Sequence, residues 1–224
     1  MSDFLKKPSL IVSCQARDDN PLMGSLYMQA MALAAMQGGA HAIRANGAED
    51  IRAIQSVVSL PMIGLSKKDL ADFEVYITPD LESVQEIAAV GADYIALDVT
   101  HRSRPVPLET MFAAIHALGK KVFADCATLP DATRAASLGA DVVSTTMAGY
   151  TPETAATKTT EPDFVLLEQI VQAVAGLPVV AEGRFWTLEH VAQAFVLGAS
   201  AVVVGTAITN PREITKRFML AVPR

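Results

Sequence analysis

Short apolar segments alternate with longer helix-like segments along this chain of 224 residues. We count eight units in which an apolar, β-branched run precedes a stretch of helical periodicity, the pattern of repeated βαβ units on a parallel sheet. The runs are continuously apolar, as expected for strands covered on both faces. The predicted strands are Leu10–Gln15, Ala42–Ala45, Met62–Ser66, Tyr94–Asp98, Val122–Cys126, Val142–Thr146, Val179–Glu182 and Ala201–Gly205.

Glycines mark the ends of several predicted helices, where a residue with a left-handed backbone closes the last turn. These glycines are Gly91, Gly119, Gly139 and Gly198. The pattern predicts one (β/α)8 TIM barrel that occupies residues 1–224 as a single domain. A doubly wound sheet is the main alternative, but it normally has fewer strands and a glycine-rich first turn, whereas the first turn here is CQARDDNP. The short run Glu74–Thr78 is interpreted as part of a loop.

Composition excludes several classes of partner. Hydrophobic residues make up 51% of the chain and charged residues 19%, which indicates a large interior. The net charge of −6 provides no general basic surface, so neither nucleic acid nor an anionic membrane is expected as a partner.

The sequence shows no signal peptide and no apolar run of about eighteen residues, so we expect a cytoplasmic protein. Cys14 and Cys126 lie in apolar runs and are expected to be reduced structural thiols.

Polar residues stand at the carboxyl ends of the predicted strands, where the active site of such a barrel lies. In chain order these ends provide Gln15, Arg44, Lys67, Asp98, Asp125, Thr145 with Thr146, Glu182 with Gly183, and Gly205 with Thr206. Strand ends are polar in many proteins, so Asp98, Thr145 and Thr146 could equally serve as helix caps or loop structure.

Lys67 and Glu182 are the main candidates for acid and base chemistry. Burial at the mouth of an apolar barrel, and Arg44 nearby, would lower the pKa of a lysine and make its neutral amine available as a base. Lys67 is favoured over Lys68 because it is closer to the strand end. Glu182 ends an apolar strand directly before Gly183, where the backbone can pass close to a ligand.

The loops after the seventh and eighth strands form the usual phosphate site of such barrels. Here they contain Gly183-Arg184 and Gly205-Thr206. Backbone N–H groups in these loops, together with Arg184, are expected to hold a phosphate dianion.

Nine motifs stand in order along nearly the whole chain: SCQA, AIRANG, PMIGLSKKD, VYITP, ALDVTHRSRP, VFADCAT, STTMAGYT, VAEGRFWT and VVVGTAITNP. Together they resemble the bacterial N-acylmannosamine-6-phosphate 2-epimerases of sialic acid breakdown. The resemblance implies reversible epimerisation at C2 of N-acetylmannosamine 6-phosphate, which gives N-acetylglucosamine 6-phosphate. The reaction type would be proton abstraction next to the carbonyl of the open-chain sugar.

The resemblance also implies roles for individual residues. Lys67 would be the catalytic acid/base and Glu182 its acidic partner. The residues that would hold the sugar are Gln15, Arg44 and Asp125. The phosphate loops of the family fall on Gly183, Arg184, Gly205 and Thr206. Related sequences commonly have an arginine where this chain has Asn210, so a phosphate contact from that position is left open.

No cofactor is predicted. Barrel epimerases of pentose phosphates would need at least two histidines at strand ends as metal ligands. Here His41 precedes a predicted strand and His101 follows one in a loop. His116 and His190 lie in predicted helices. A dinucleotide fingerprint is also missing from the sequence, so neither a metal nor a nicotinamide is expected. The oligomeric state stays open, with a homodimer among the alternatives.

Two other functions stay open. In a Schiff-base aldolase or lyase, Lys67 would attack the carbonyl of a sugar phosphate as a nucleophile. A sugar-phosphate sensor would keep the pocket without the chemistry, although the presence of both Lys67 and Glu182 argues against it.

Overall fold

Eight parallel strands close into a barrel in the computed structural model, which describes residues 4–156 and 158–223. Neighbouring strands follow one another in chain order, and the last strand pairs with the first. The strands are β1 Ser9–Cys14, β2 Ala42–Asn46, β3 Met62–Leu65, β4 Tyr94–Asp98, β5 Lys121–Asp125, β6 Val142–Ser144, β7 Val179–Glu182 and β8 Ala201–Val204. The predicted (β/α)8 fold is confirmed, and the doubly wound alternative is wrong.

Helices follow the strands around the outside of the barrel. In the described ranges they are α1 Ser25–Gln37, α2 Ala48–Gln55, α3 Leu81–Ala89, α4 Leu108–Ala117, α5 Leu129–Ser137, α6 Pro152–Ala155, α7 Phe164–Ala173, α8 Leu188–Val196, α9 Thr206–Thr209 and α10 Pro211–Met219. Threonine side chains cap the first turns of α5 and α8, at Thr128 and Thr187. The predicted helix-closing glycines have left-handed backbones, for example Gly91 with φ 90° and Gly198 with φ 96°.

Two apolar clusters stabilise the barrel. One fills its interior and includes Ile11, Ile63 and Phe123, and the other packs the strands against the helices. Successive side chains of a strand point to opposite faces, so the residue two positions after an inward-facing residue also points inward. The interior residues Ala42, Phe123 and Val180 therefore predict inward positions for Arg44, Asp125 and Glu182. The interior changes from apolar to polar at the carboxyl ends of the strands.

Five predicted strands extend one or two residues too far. The predicted strand ends that lie in the following loops are Gln15, Ser66, Cys126, Thr145 with Thr146, and Gly205. After β5 and β6 the apolar or β-branched run of the sequence continues, but the ladder of hydrogen bonds ends earlier. These residues still follow the carboxyl ends of the strands.

The segment Glu74–Thr78 is a loop, as predicted, but it also separates two strands. β3 and β4 pair directly through only two residues each. Beyond them Ile77 forms an antiparallel bridge with Lys67, while its carbonyl accepts the Asp98 N–H at 3.0 Å. Thr78 holds a left-handed φ of 46° and donates its hydroxyl to a carbonyl of β4. This wedge segment, Glu74–Thr78, thus fixes the backbone of Lys67.

The cysteines are buried and unpaired, in agreement with structural thiols. Burial raises the pKa of the Cys14 thiol to about 12 and that of Cys126 well above its usual value. In the described part of the chain, none of the helices has the length and apolar character needed to cross a membrane.

Candidate active site

A buried ion pair forms the base of the barrel mouth. Arg44 at the end of β2 donates Nη2 to Asp125 Oδ2 at 2.6 Å and Nη1 to Oδ1 at 3.1 Å. The same Nη1 lies 3.4 Å from Oε2 of Glu182. Burial disfavours the charge on Arg44, but Asp125 and Glu182 outweigh that effect and raise its pKa. One guanidinium therefore links the ends of β2, β5 and β7.

Two adjacent threonines after β6 hold Glu182 in different ways. Thr146 Oγ1 lies 2.7 Å from Asp125 Oδ1 and 3.1 Å from Glu182 Oε2. Thr145 instead holds the Glu182 backbone, because its hydroxyl donates to the carbonyl at 2.9 Å and accepts the N–H at 3.0 Å. Neither threonine caps a helix, so the helix-cap interpretation is wrong for both, whereas the backbone contacts of Thr145 agree with a structural role.

The Glu182 carboxyl is mostly enclosed, with 15% of its side chain exposed. Burial raises its pKa, Arg44 opposes the rise, and the nearby Asp125 carboxylate adds to it. A glutamate in this setting can hold a proton at a higher pH than usual and release it again.

Lys67 reaches solvent at the mouth, yet its amine lies in a concave site where protein replaces part of its hydration. Burial, together with the positive charge of Arg44, lowers the pKa of Lys67 to about 8, while Glu182 opposes the shift. The direction of the shift and its two causes agree with the expectation from the sequence. Lys68 points elsewhere, to ion pairs with Asp80 at 2.9 Å and Glu82 at 2.8 Å, which raise its pKa. The geometry supports the preference for Lys67.

Gln15 contributes an amide to the mouth from the loop after β1. Its Nε2 donates to Ser13 Oγ at 2.9 Å, whereas its buried Oε1 has no partner within the described residues. A buried acceptor without a donor is costly unless a ligand or water supplies one. Gln15 can therefore accept a hydrogen bond from a bound polar molecule.

Asp98 serves the structure of the loop after β4. Its carboxylate forms an ion pair with Arg102 and accepts the Thr100 hydroxyl at 2.6 Å and the Thr100 N–H at 3.0 Å. Arg102 also lies over the ring of Tyr76 in the wedge segment, with 6.0 Å between guanidinium and ring centroid. The loop interpretation of Asp98 is confirmed.

A cavity of about 420 Å³ lies beside that loop, against α4 and α5, and its lining shares no residue with the network of Arg44, Asp125 and Glu182. Arg104 in its wall donates to the carbonyls of Asp98 and Thr100, and Arg134 donates to a third loop carbonyl. The cavity belongs to the support of the loop rather than to the mouth network.

The first predicted phosphate loop follows β7. Gly183 has φ 110°, and a Cβ there would meet nothing within 4 Å, so this stretch of backbone is open. Arg184 has φ 63°, and its guanidinium donates to the carbonyls of Ala148 at 2.7 Å and Glu161 at 2.6 Å. The Arg184 side chain thus ties the loops after β6 and β7 together, and its contact with phosphate stays a prediction.

The second predicted phosphate loop follows β8. Gly205 packs against β1, since a Cβ there would lie 3.2 Å from Ser13 Cβ. Thr206 opens the short helix α9, whose first N–H groups have no acceptor within the helix. Asn210 caps α10 by accepting the Glu213 N–H at 3.3 Å.

The described residues contain no group of three or more His, Cys, Asp or Glu that could hold a metal ion. His41 accepts a backbone N–H at the start of β1, and His116 pairs with Asp141 outside the mouth. Independence from metal and nicotinamide stays a prediction.

Comparison with known proteins gives the family. The NanE family model, described as "Putative N-acetylmannosamine-6-phosphate epimerase", matches residues 28–224. The chain belongs to the NanE family. A Clostridium perfringens (strain SM101 / Type A) relative named "Putative N-acetylmannosamine-6-phosphate 2-epimerase" is 48% identical over 214 residues, which cover 95% of this chain and 96% of the relative. A relative of the same name from Listeria monocytogenes serotype 4b (strain F2365) is 45% identical, with coverage of 95% and 93%.

Solved structures agree with the NanE assignment. A structure described as "Structural and biochemical characterization of the N-acetylmannosamine-6-phosphate 2-epimerase from Clostridium perfringens" superposes with a TM-score of 0.92 at 46% identity, and covers 96% of this chain and 93% of that chain. A thiamine phosphate pyrophosphorylase from Pyrococcus furiosus reaches a TM-score of 0.61 at 18% identity, with coverage of 93% and 90%. The second likeness shows the barrel fold alone.

In this NanE chain, sequence reasoning left one mouth residue undecided and missed another. The sequence leaves Thr146 undecided between a structural and a chemical role, and it indicates only a loop position for Tyr76. Strand alternation was the signal for Thr146, because it stands two residues after the inward-facing Ser144. The sequence carries no comparable signal for Tyr76, which depends on the wedge segment lying between β3 and β4.

Proposed function

We propose that this NanE protein interconverts N-acetylmannosamine 6-phosphate and N-acetylglucosamine 6-phosphate by inverting the configuration at C2. The observation that carries the proposal is the pairing of two groups with opposite pKa shifts in one mouth. The pKa of Lys67 is lowered to about 8 and that of Glu182 is raised. Lys67 follows β3 and Glu182 is the last residue of β7, and these two strands lie on opposite sides of the eight-stranded ring.

This arrangement suits a proton exchange on two faces of one carbon. The C2–H of a closed sugar ring is too weak an acid, so the open-chain aldehyde is the proposed reactant. One group removes the C2 proton to give an enolate, and the other group donates a proton to the opposite face of C2. Lys67 and Glu182 exchange these roles when the reaction runs in reverse.

The sugar is proposed to bind above the Arg44 and Asp125 pair, with Gln15 as a further contact. Gln15 supports this placement through the unpartnered Oε1 of its amide. The 6-phosphate is proposed to bind at the loops after β7 and β8. The residues concerned are Gly183, Arg184, Gly205 and Thr206. The reaction as proposed needs neither a metal nor a nicotinamide.

Proton NMR in D₂O tests the function directly. The purified protein is incubated with N-acetylmannosamine 6-phosphate, and the C2 proton signal and the appearance of the epimer are followed together. We expect deuterium at C2 of the product, because the proton returned to carbon comes from a group that exchanges with solvent. An unchanged substrate spectrum would reject the proposal.

A Schiff-base aldolase or lyase is the second candidate, because the lowered pKa of Lys67 also suits a nucleophilic amine. Borohydride added during turnover would trap such an intermediate as a covalent adduct on Lys67. The epimerase proposal predicts no adduct and no inactivation, with Lys67→Ala as the control.

We further propose that the whole chain acts as one cytoplasmic catalytic domain and as a homodimer. The reduced, buried cysteines support a reducing compartment. Exposed apolar side chains on α8 and at the end of α10 support association of two copies, with Val196 at 86% and Phe218 at 73% exposure. Sedimentation of the wild type and of Val196→Ser and Phe218→Ser tests this, and a monomeric wild type at micromolar concentration would reject the dimer.

A further inference from the structure

A single hydroxyl group stands between two carboxyl groups of the mouth. Thr146 Oγ1 lies 2.7 Å from Asp125 Oδ1, 3.1 Å from Glu182 Oε2 and 2.8 Å from Ser144 Oγ. A hydroxyl has one hydrogen to donate and two lone pairs that accept. Ser144 can donate to Thr146, so the Thr146 hydrogen is available to the two carboxyl groups.

The charges around Glu182 show why this hydrogen matters. Glu182 faces Arg44 on β2, Lys67 after β3 and Asp125 on β5, whereas β6 and β8 have no titratable residue. Two guanidinium N–H groups of Arg44 donate to the Asp125 carboxylate. Glu182 must therefore ionise next to an existing negative charge, which opposes its ionisation. A hydroxyl donor between the two carboxylates reduces that repulsion.

The two oxygens of the Glu182 carboxyl are in different situations. Oε2 lies within reach of Thr146 at 3.1 Å and of Arg44 Nη1 at 3.4 Å. Oε1 has no hydrogen-bond partner in the described ranges, and the side chain is 15% exposed. One oxygen is thus held by protein while the other is left for a ligand in the mouth.

We propose that Thr146 is a positioning residue for Glu182: its hydroxyl holds Oε2 and favours the ionised carboxyl beside Asp125, so that Oε1 exchanges the proton with the substrate. The proposal rests on the proposed function, since it assigns a role in that reaction. Thr146 itself does not exchange a proton with the sugar.

Kinetics of hydroxyl-free variants provide the first test. Thr146→Val removes the hydroxyl at nearly constant volume, and we expect kcat to fall at least about tenfold while KM stays within about threefold. Thr146→Ser should recover most of the loss. In a Glu182→Gln background, Thr146→Val should not lower kcat any further, because Thr146 acts on the reaction only by positioning Glu182. Thermal unfolding checks folding, and Thr146→Ala is a second hydroxyl-free variant that must change kcat in the same direction.

Thr145→Val is the matched control, since that neighbouring hydroxyl binds the backbone of Glu182 and not its carboxyl. Carbon NMR titration of ¹³C-labelled glutamate carboxyls, with Glu182→Gln to assign the signal, measures the pKa without any turnover. Thr146→Val should raise the pKa of Glu182 by about one pH unit, whereas Thr146→Ser and Thr145→Val should shift it much less. An unchanged Glu182 titration in Thr146→Val would overturn the proposal. If the wild type does not epimerise, the proposed function fails while this titration still decides the role of Thr146.

Discussion

Arg44 and Asp125 form a two-point ion pair inside the barrel, with Nη2···Oδ2 at 2.6 Å and Nη1···Oδ1 at 3.1 Å. Their side chains are 1% and 0% exposed. Each charge has lost its hydration and depends on the other, so removal of one partner leaves a buried charge without its main counter-charge.

We expect Asp125→Asn to lower the free energy of unfolding by about 3–5 kcal/mol, because the buried Arg44 then loses its two-point partner and keeps only the 3.4 Å contact with Glu182. Chemical denaturation measures this. The double variant Arg44→Met with Asp125→Leu should recover part of the loss, since it removes both charges. Asp69→Asn, at an exposed position, is the control and should stay within about 0.5 kcal/mol of wild type. Equal losses in the single and double variants would contradict this account of the pair.

Lys67→Ala should lower kcat by at least about a thousandfold without loss of folding, because the amine acts at the mouth and not in the packed layers. Lys68→Ala is the matched control and should keep kcat within about threefold, since its ion pairs lie on the surface. An epimerisation assay together with circular dichroism measures both. An inactive Lys68→Ala beside an active Lys67→Ala would mean that the two lysines have exchanged roles.

The pH dependence of kcat/KM should be bell-shaped for the forward and for the reverse reaction. The active enzyme carries one proton on the pair Lys67 and Glu182, so that one group is the acid and the other the base. Below the raised pKa of Glu182 both groups are protonated and no base is present, whereas above about pH 8 both are deprotonated and no acid is present. Initial rates from about pH 5 to pH 10 measure the two limbs. A kcat/KM that still rises beyond about pH 9.5 would exclude Lys67 as the acid.

Turnover should depend on the 6-phosphate. Charge-assisted hydrogen bonds contribute roughly 1.5–3 kcal/mol each, so N-acetylmannosamine without phosphate should show a kcat/KM at least about a hundredfold lower. Gly205→Val should raise KM for the phosphorylated sugar, because its Cβ would lie 3.2 Å from Ser13 Cβ and displace the loop. Kinetics of the wild type and of Gly205→Val on the two sugars, measured side by side, test both statements. Equal kcat/KM values of the wild type for the two sugars would contradict phosphate binding at these loops.

Activity should survive EDTA and need no added nicotinamide. The basis is the set of side chains at the mouth, which comprises the Lys67 amine, the Gln15 amide and the carboxyls of Asp125 and Glu182 rather than a histidine cluster. Rates before and after chelation, with a divalent ion added back, give the measurement. If chelation abolished activity and the added divalent ion restored it, the reaction would be metal-assisted and this prediction would be wrong.

The sequence indicates the residues of the mouth better than it indicates their contacts. Continuous apolar runs predict the eight strands, and alternation along each run places Arg44, Asp125 and Glu182 inside. The pairing of Arg44 with Asp125 joins β2 to β5, and it depends on the closure and stagger of the barrel, which no single run reveals. Arg184 shows the same limit, because its position in the expected loop is clear from sequence while its hydrogen bonds to Ala148 and Glu161 are not.

The wedge segment, Glu74–Thr78, has a consequence for protein engineering. Active-site loops of such barrels are often treated as parts that can be exchanged one at a time. Here Lys67 takes its place from a bridge to Ile77 and from Asn46 Oδ1, which accepts the Lys67 N–H at 2.8 Å. Transplanting Lys67 into another barrel would therefore require the stretch 66–78 together with the end of β2. Shortening that stretch would move the amine even if every catalytic side chain were kept.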